Sequence, residues 1–261
     1  MKSIEFTKMV ASGNDFIIID KKISGRISAL ARSLCDRKFG IGADGLILLS
    51  KLKNADLRMR IFNADGSEAQ MCGNGARCAA LFGRKSQGRI FTQAGVINTE
   101  LRPGRVRIRF TKPKGIRLDI LLKVNGRMIR VNFINTGVPH AIVFVNGIDN
   151  IDVVNIGRSI RRHAKFSPAG TNVDFAQVKG NDLIAIRTYE RGVEDETLAC
   201  GTGSVAAGLI FALKSGLDRL VKVRTHGGEE LKVYFKKDNK GFRDIWLEGS
   251  AKIVYKGEYY V

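Results

Sequence analysis

Two stretches of this chain carry the residues best suited to chemistry, and they are near copies of one another. Cys72-Gly73-Asn74-Gly75-Ala76-Arg77-Cys78-Ala79-Ala80 and Cys200-Gly201-Thr202-Gly203-Ser204-Val205-Ala206-Ala207-Gly208 each set a cysteine before Gly-x-Gly and a run of small residues. The small residues predict a helix buried closely on all sides. A cysteine at the start of such a helix sits at the positive end of the macrodipole, which lowers the thiol pKa from about 8.5 toward neutrality. The Gly-x-Gly backbone lets a ligand approach closely, and the free N–H groups of the first turn form a site for a carboxylate. Each phrase therefore reads as a base and a carboxylate clamp together. With two such ends on one substrate, a thiolate removes an α-proton from one face while the opposite thiol delivers one to the other. The centre inverts, and the backbone N–H groups stabilise the carbanion.

This chemistry calls for no cofactor, and no local lysine motif demands pyridoxal. Neither phrase ends in the lysine-serine/threonine of a P-loop. A metal is not expected either: the histidines are His140, His163 and His226, and no two cysteines stand as CxxC. Cys35 and Cys78 read as small buried hydrophobes. Glu190 and Arg191 lie just upstream of Cys200. They are either a surface ion pair or a proton acceptor for Cys200 beside a bidentate carboxylate clamp. His140, after Gly137-Val138-Pro139, is either structural or a partner of Cys72. His163 and His226 read as surface residues.

The elements that must position these groups follow from pattern. Strands are expected over 4–9, 16–20, 46–49, 57–62, 90–92, 95–102 and 105–110, with a helix over 26–37 whose apolar positions are Ile27, Leu30, Ala31 and Leu34. The second part repeats this outline: strands over 117–123, 128–134 and 140–145, a helix over 153–164, a strand over 183–189, a helix over 204–214, then strands over 243–248 and 251–257. Thr171-Asn172-Val173-Asp174-Phe175 echoes Gly13-Asn14-Asp15-Phe16. The weak repeat predicts an α+β fold of two pseudo-symmetric halves, each a curved, mostly antiparallel sheet wrapped round a central helix. The halves are 1–115 with Cys72 and 116–249 with Cys200.

At 261 residues the chain can bury a large core. No apolar run reaches membrane-span length, and Met1-Lys2-Ser3-Ile4-Glu5-Phe6 has no secretory apolar core. With sparse cysteines, the expectation is a cytoplasmic protein with free thiols. The net charge of +19 raises nucleic-acid binding as a question. The basic residues are dispersed, however. Arg105, Arg107 and Arg109 alternate with Val106, Ile108 and Phe110 as one solvated strand face, and no recognition motif accompanies them. A solvated basic surface is the preferred reading over a nucleic-acid-binding module.

Several stretches, in this order, carry a resemblance: Lys8-Met9 through Phe16, Gly40-Ile41-Gly42-Ala43-Asp44-Gly45, Phe62-Asn63-Ala64-Asp65-Gly66-Ser67, Met71 through Cys78, Pro139-His140, Thr171-Asn172-Val173, Glu190-Arg191-Gly192 and Thr197 through Gly203. Over essentially its whole length the chain resembles the diaminopimelate epimerase family. The resemblance implies cofactor-independent interconversion of LL- and meso-2,6-diaminoheptanedioate, on the route to lysine and peptidoglycan, by a homodimer. It makes Cys200 the base and Cys72 the acid in the LL-to-meso direction, with Glu190 and His140 as partners of the thiols. Asn14, Asn63, Asn172 and Arg191 match residues that hold the distal end of the substrate; Gly73, Asn74, Gly201 and Thr202 match the backbone cradle of the reacting end. It also implies that the last strand, about 250–261, returns to the first half. Three departures stand out. Val138 replaces an asparagine of many members, and Gly45 a glutamine of some. The stretch between Arg191 and Cys200 is one residue longer than the commonest pattern. A proline or hydroxyproline racemase of similar fold is the alternative enzyme, though a small cyclic substrate gives Arg191 nothing to grip.

Overall fold

The computed structural model of the chain describes residues 3–23, 25–52, 56–239 and 241–260. The fold is α+β and rich in sheet. The chain forms two compact units, Met1–Ile108 with Gly249–Val261, and Arg109–Glu248.

In the first unit, β1 (Ser3–Ala11), β2 (Asn14–Ile19), α1 (Ile27–Cys35), β3 (Gly45–Lys51), β4 (Leu57–Asn63), β5 (Glu68–Ala69), α2 (Gly73–Gly83), β6 (Gln87–Thr92), β7 (Gly95–Arg102) and β8 (Arg105–Arg109) follow in order. The last strand, Lys252–Tyr260, pairs antiparallel with β1, with Phe6 opposite Gly257. From there the pairing runs β1–β2 antiparallel, β2–β3 parallel, β3–β4 antiparallel, β4–β6 parallel, then β6–β7 and β7–β8 antiparallel. One core lies between α1 and the sheet, built on Ile17, Ile19, Leu34, Leu46 and Phe62. Helix α1 has an apolar stripe and buries Ala31, Leu34 and Cys35. It ends at Cys35, two residues short of the expected stop, where Asp36 leaves helical geometry and its carboxylate accepts the Lys38 and Phe39 N–H groups.

In the second unit, β9 (Lys114–Val124), β10 (Arg127–Asn135), β11 (Pro139–Phe144), α3 (Val153–Arg161), β12 (Asn172–Val178), β13 (Leu183–Glu190), β14 (Asp195–Thr197), α4 (Gly201–Ser215), β15 (Leu220–Arg224), β16 (Glu230–Asp238) and β17 (Gly241–Gly249) follow. The pairing is β9–β10 and β10–β11 antiparallel, β11–β12 parallel, β12–β13 antiparallel, β13–β15 parallel, then β15–β16 and β16–β17 antiparallel. This is the first unit's sequence of pairings repeated step for step. In both, a minimal strand hangs on the fifth strand, β5 on β4 and β14 on β13. In both, a helix begins directly after it. The sequence echo of the two cysteine phrases is thus an echo of whole topology. Within α4, every residue from Gly203 to Ala212 is buried, as expected of a helix without a polar face. Among the described residues, no helix is long and apolar enough to cross a membrane.

Candidate active site

Cys72 and Cys200 occupy the same place in the repeated topology. Each is the N-cap of its helix in extended backbone geometry, and each Sγ accepts an N–H three residues on: Gly75 at 3.5 Å and Gly203 at 3.4 Å. A thiolate there receives the helix's own orphan donors. Cys72 is half-buried and Cys200 buried; Cys35, Cys72, Cys78 and Cys200 are all free thiols.

Around Cys72, charge orders the polar groups. Arg77, fully buried, donates to Asn74 Oδ1 (2.8 Å), Ser12 Oγ (2.5 Å) and the Ser250 carbonyl (3.3 Å). Asn74 Nδ2 then donates to Asn14 Oδ1 (2.5 Å), and Asn14 Nδ2 to Asp44 Oδ2 (3.0 Å). Asp44 is held in turn by Arg37 at 2.7 Å. The cation at one end and the carboxylate at the other fix which way both amides point. Gly45, beside Asp44, pairs with Asn63, whose exposed amide donates to Ser67 Oγ (3.0 Å). Asn14 and Asn74 therefore come together, whereas the described side-chain bond of Asn63 stays within its own turn.

Around Cys200 the groups form a chain. His140, the second residue of β11, is buried; its Nδ1 donates to Asp174 Oδ2 (2.7 Å) and its Nε2 lies 3.0 Å from Thr202 Oγ1. Thr202 Oγ1 lies 3.3 Å from Cys200 Sγ. The other Asp174 oxygen accepts the Thr188 hydroxyl (2.8 Å). His140, read from the sequence as either structural or a partner of Cys72, has described bonds that lead toward Cys200. Glu190 Oε2 accepts the Thr197 hydroxyl (3.1 Å). The stretch after it folds into a hairpin closed by Glu194 N–H on the Glu190 carbonyl (2.8 Å). Asn172 is committed to backbone: Oδ1 accepts Arg191 N–H (2.8 Å) and Nδ2 donates to the Pro139 carbonyl (3.0 Å). The Arg191 guanidinium donates to the Ala169 carbonyl (3.2 Å).

Electrostatics correct one expectation. A helix start alone predicts a lowered thiol pKa, but Cys200 is raised well above the ordinary value. Burial is the main cause, followed by the nearby Glu190 and Asp174 carboxylates; the Thr202 and Gly203 bonds oppose them. Glu190 is raised as well, by burial first, against the Thr197 bond and the pull of His140. Burial pushes Cys78 up to about 12 and Cys35 to about 11, in keeping with inert core thiols.

Sequence reasoning passed over Asp174 and Arg77. Each carried a signal: a lone carboxylate between apolar strand residues Val173 and Phe175, and a lone charge in a helix of small residues. Both are buried polar groups that demand partners.

Two features now define a class: a duplicated α+β unit, and a cysteine-capped helix in each copy. The same fold occurs in a Bacillus anthracis phenazine biosynthesis protein of the PhzF family (TM-score 0.78, 19% identity, all of both chains covered). It occurs also in a probable proline racemase from Agrobacterium radiobacter K84 (TM-score 0.71, 17% identity, 99% of this chain and 92% of that one). The family model for diaminopimelate epimerase matches residues 6–117 and 132–254. The diaminopimelate epimerase of Chlorobaculum tepidum is 42% identical over 262 residues, covering 95% of this chain and 98% of the relative. The chain belongs to the diaminopimelate epimerase family, a family of isomerases.

Proposed function

We propose that the protein interconverts LL- and meso-2,6-diaminoheptanedioate by a two-thiol mechanism that needs no cofactor. The observation that carries this reading is the equivalent placement of Cys72 and Cys200, each an N-cap whose sulfur accepts the third N–H of its helix. In the LL-to-meso direction Cys200 removes the α-proton and Cys72 supplies one from the other face. The first-turn N–H groups at Gly73-Asn74 and Gly201-Thr202 hold the reacting carboxylate and stabilise the carbanion. Glu190 and His140 set the charge of the thiols. Asn14, Asn63, Asn172 and Arg191 form the distal-end set, in which Asn172 acts by fixing the Arg191 backbone.

The family relationship supports this substrate over proline. The product serves lysine and peptidoglycan precursor synthesis in the cytoplasm. We infer a homodimer as well; exposed apolar residues of the last strand, Val254, Tyr255 and Tyr260, support it. The dispersed basic surface is solvated and does not bind nucleic acid. Chiral analysis of the protein with LL-diaminopimelate and with L-proline tests the substrate: inversion of the first alone is expected. Inversion of proline alone overturns the assignment.

A further inference from the structure

We infer that the Thr202 hydroxyl is the proton bridge between Cys200 and His140, and that Asp174 is the residue that positions His140. The inference rests on reading Cys200 as an acid–base thiol, and it gives the Thr202 side chain a role beyond the backbone cradle. The chain is continuous: Cys200 Sγ to Thr202 Oγ1 is 3.3 Å, Oγ1 to His140 Nε2 is 3.0 Å, and His140 Nδ1 to Asp174 Oδ2 is 2.7 Å. With Nδ1 donating to a carboxylate, the neutral ring must present the Nε2 lone pair to Thr202. The hydroxyl donates to that lone pair, and its oxygen is then free to accept from the thiol.

The step balances. The S–H bond breaks and its electron pair stays on sulfur. The proton passes to the Thr202 oxygen as the hydroxyl's own proton moves to Nε2. The products are a thiolate and an imidazolium; Asp174 faces the new positive charge, and Gly203 N–H already points at the sulfur. The reverse step returns the proton to the sulfur and restores the neutral ring. A relay is required here because burial, Glu190 from β13 and Asp174 from β12 all hold Cys200 in its protonated form. His140, from β11, is the base within the chain. Asp174 is itself locked twice, by His140 and by Thr188. A Cβ at Gly203 would stand 2.3 Å from Asp174 Oδ1, so the carboxylate is packed directly under the start of α4.

The test compares Thr202→Val, which keeps the shape and loses the hydroxyl, with Thr202→Ser, which restores it. Two readouts are taken: the pH profile of kcat/KM in the LL-to-meso direction, and peptide-resolved iodoacetamide alkylation of Cys200 in a Cys72→Ser background. For Thr202→Val we expect a fall of about a hundredfold in kcat at little changed KM, the size of a lost general base. Its kcat/KM profile and its Cys200 alkylation profile should move together to higher pH. Thr202→Ser should recover both. A Thr202→Val protein with the wild-type alkylation profile, or a Thr202→Ser protein as impaired as Thr202→Val, overturns the bridge. The alkylation comparison reads the bridge even if wild-type protein fails to turn over diaminopimelate, so the two failures are distinguishable. For Asp174, the 15N spectrum of wild-type His140 should show Nδ1 protonated across the active pH range; a protonated Nε2 with a bare Nδ1 overturns its role.

Discussion

Asp174 Oδ2 lies 2.7 Å from His140 Nδ1, and neither residue has any exposed surface. Removing the carboxylate leaves the imidazole and the Thr188 hydroxyl without their buried partner. Asp174→Ala should cost about 2–6 kcal/mol of stability, since it leaves two buried donors unpaired at about 1–3 kcal/mol each. Urea unfolding of the reduced protein measures it. A loss below about 1 kcal/mol would mean that the pair does not hold β11 to β12.

The two glycine positions that follow the cysteines by three are not equivalent. A Cβ at Gly203 meets Asp174 Oδ1 at 2.3 Å and Cys200 Cβ at 3.3 Å, whereas at Gly75 it meets the ends of Ile47 and Ile61 at 3.1 Å. Methyl ends can turn aside; a carboxylate that accepts hydrogen bonds from both His140 and Thr188 cannot. Gly203→Ala should therefore destabilise by about 1–3 kcal/mol and depress turnover, with Gly75→Ala clearly milder in both. Thermal melts and initial rates of the pair check the ranking.

Much of this was legible in the sequence, and the repeat is the reason. The cysteine phrases predicted two buried helices with thiols at their starts, and both cysteines are N-caps. The strand expected over 183–189 is β13, Leu183–Glu190. What was not legible is tertiary. Thr171–Phe175 read only as an echo of Gly13–Phe16, with no strand expected there, because Asn172 and Asp174 interrupt the apolar pattern; from Asn172 it is a buried strand in which both side chains are satisfied by neighbours distant in sequence. The thiol charge of Cys200 was misread for the same reason. The helix dipole is visible in a sequence, but the burial and the two carboxylates that overcome it are not.

Glu190 gives a prediction in which stability and activity move apart. Burial raises its folded pKa above the unfolded value, so ionisation disfavours folding as pH rises through the usual carboxylate range. Glu190→Gln, which can still accept from Thr197, should be at least as stable as the parent at pH 7 and lose its advantage at about pH 4. Its kcat/KM profile in the LL-to-meso direction should move to lower pH, because the charge that helps hold Cys200 protonated is gone. A Gln variant with the parent's pH profile and lower stability at pH 7 would contradict the role given to Glu190.

Asp15 carries an acid-sensitive contribution in the first unit. Burial raises its pKa, but the Arg37 and Lys8 bonds outweigh this and bring it down to about 2. Lys8 lies 2.8 Å away and is mostly buried. A folded pKa below the unfolded value of about 3.9 means stability that is full above about pH 5 and lost as pH falls toward 2. Allowing for the exposed Arg37, it amounts to about 1–2 kcal/mol. The stability gap between parent and Asp15→Asn should be constant above pH 5 and close on acidification; a gap independent of pH would refute it.

The most direct test of the central claim is incubation of the reduced protein with LL-diaminopimelate in deuterated water, read by mass and chirality. The proposed two-thiol mechanism predicts meso product that carries solvent deuterium at the inverted carbon. Cys72→Ser and Cys200→Ser proteins should each fail to invert. Reduced, folded protein that neither exchanges the α-hydrogen nor forms meso product would contradict the account.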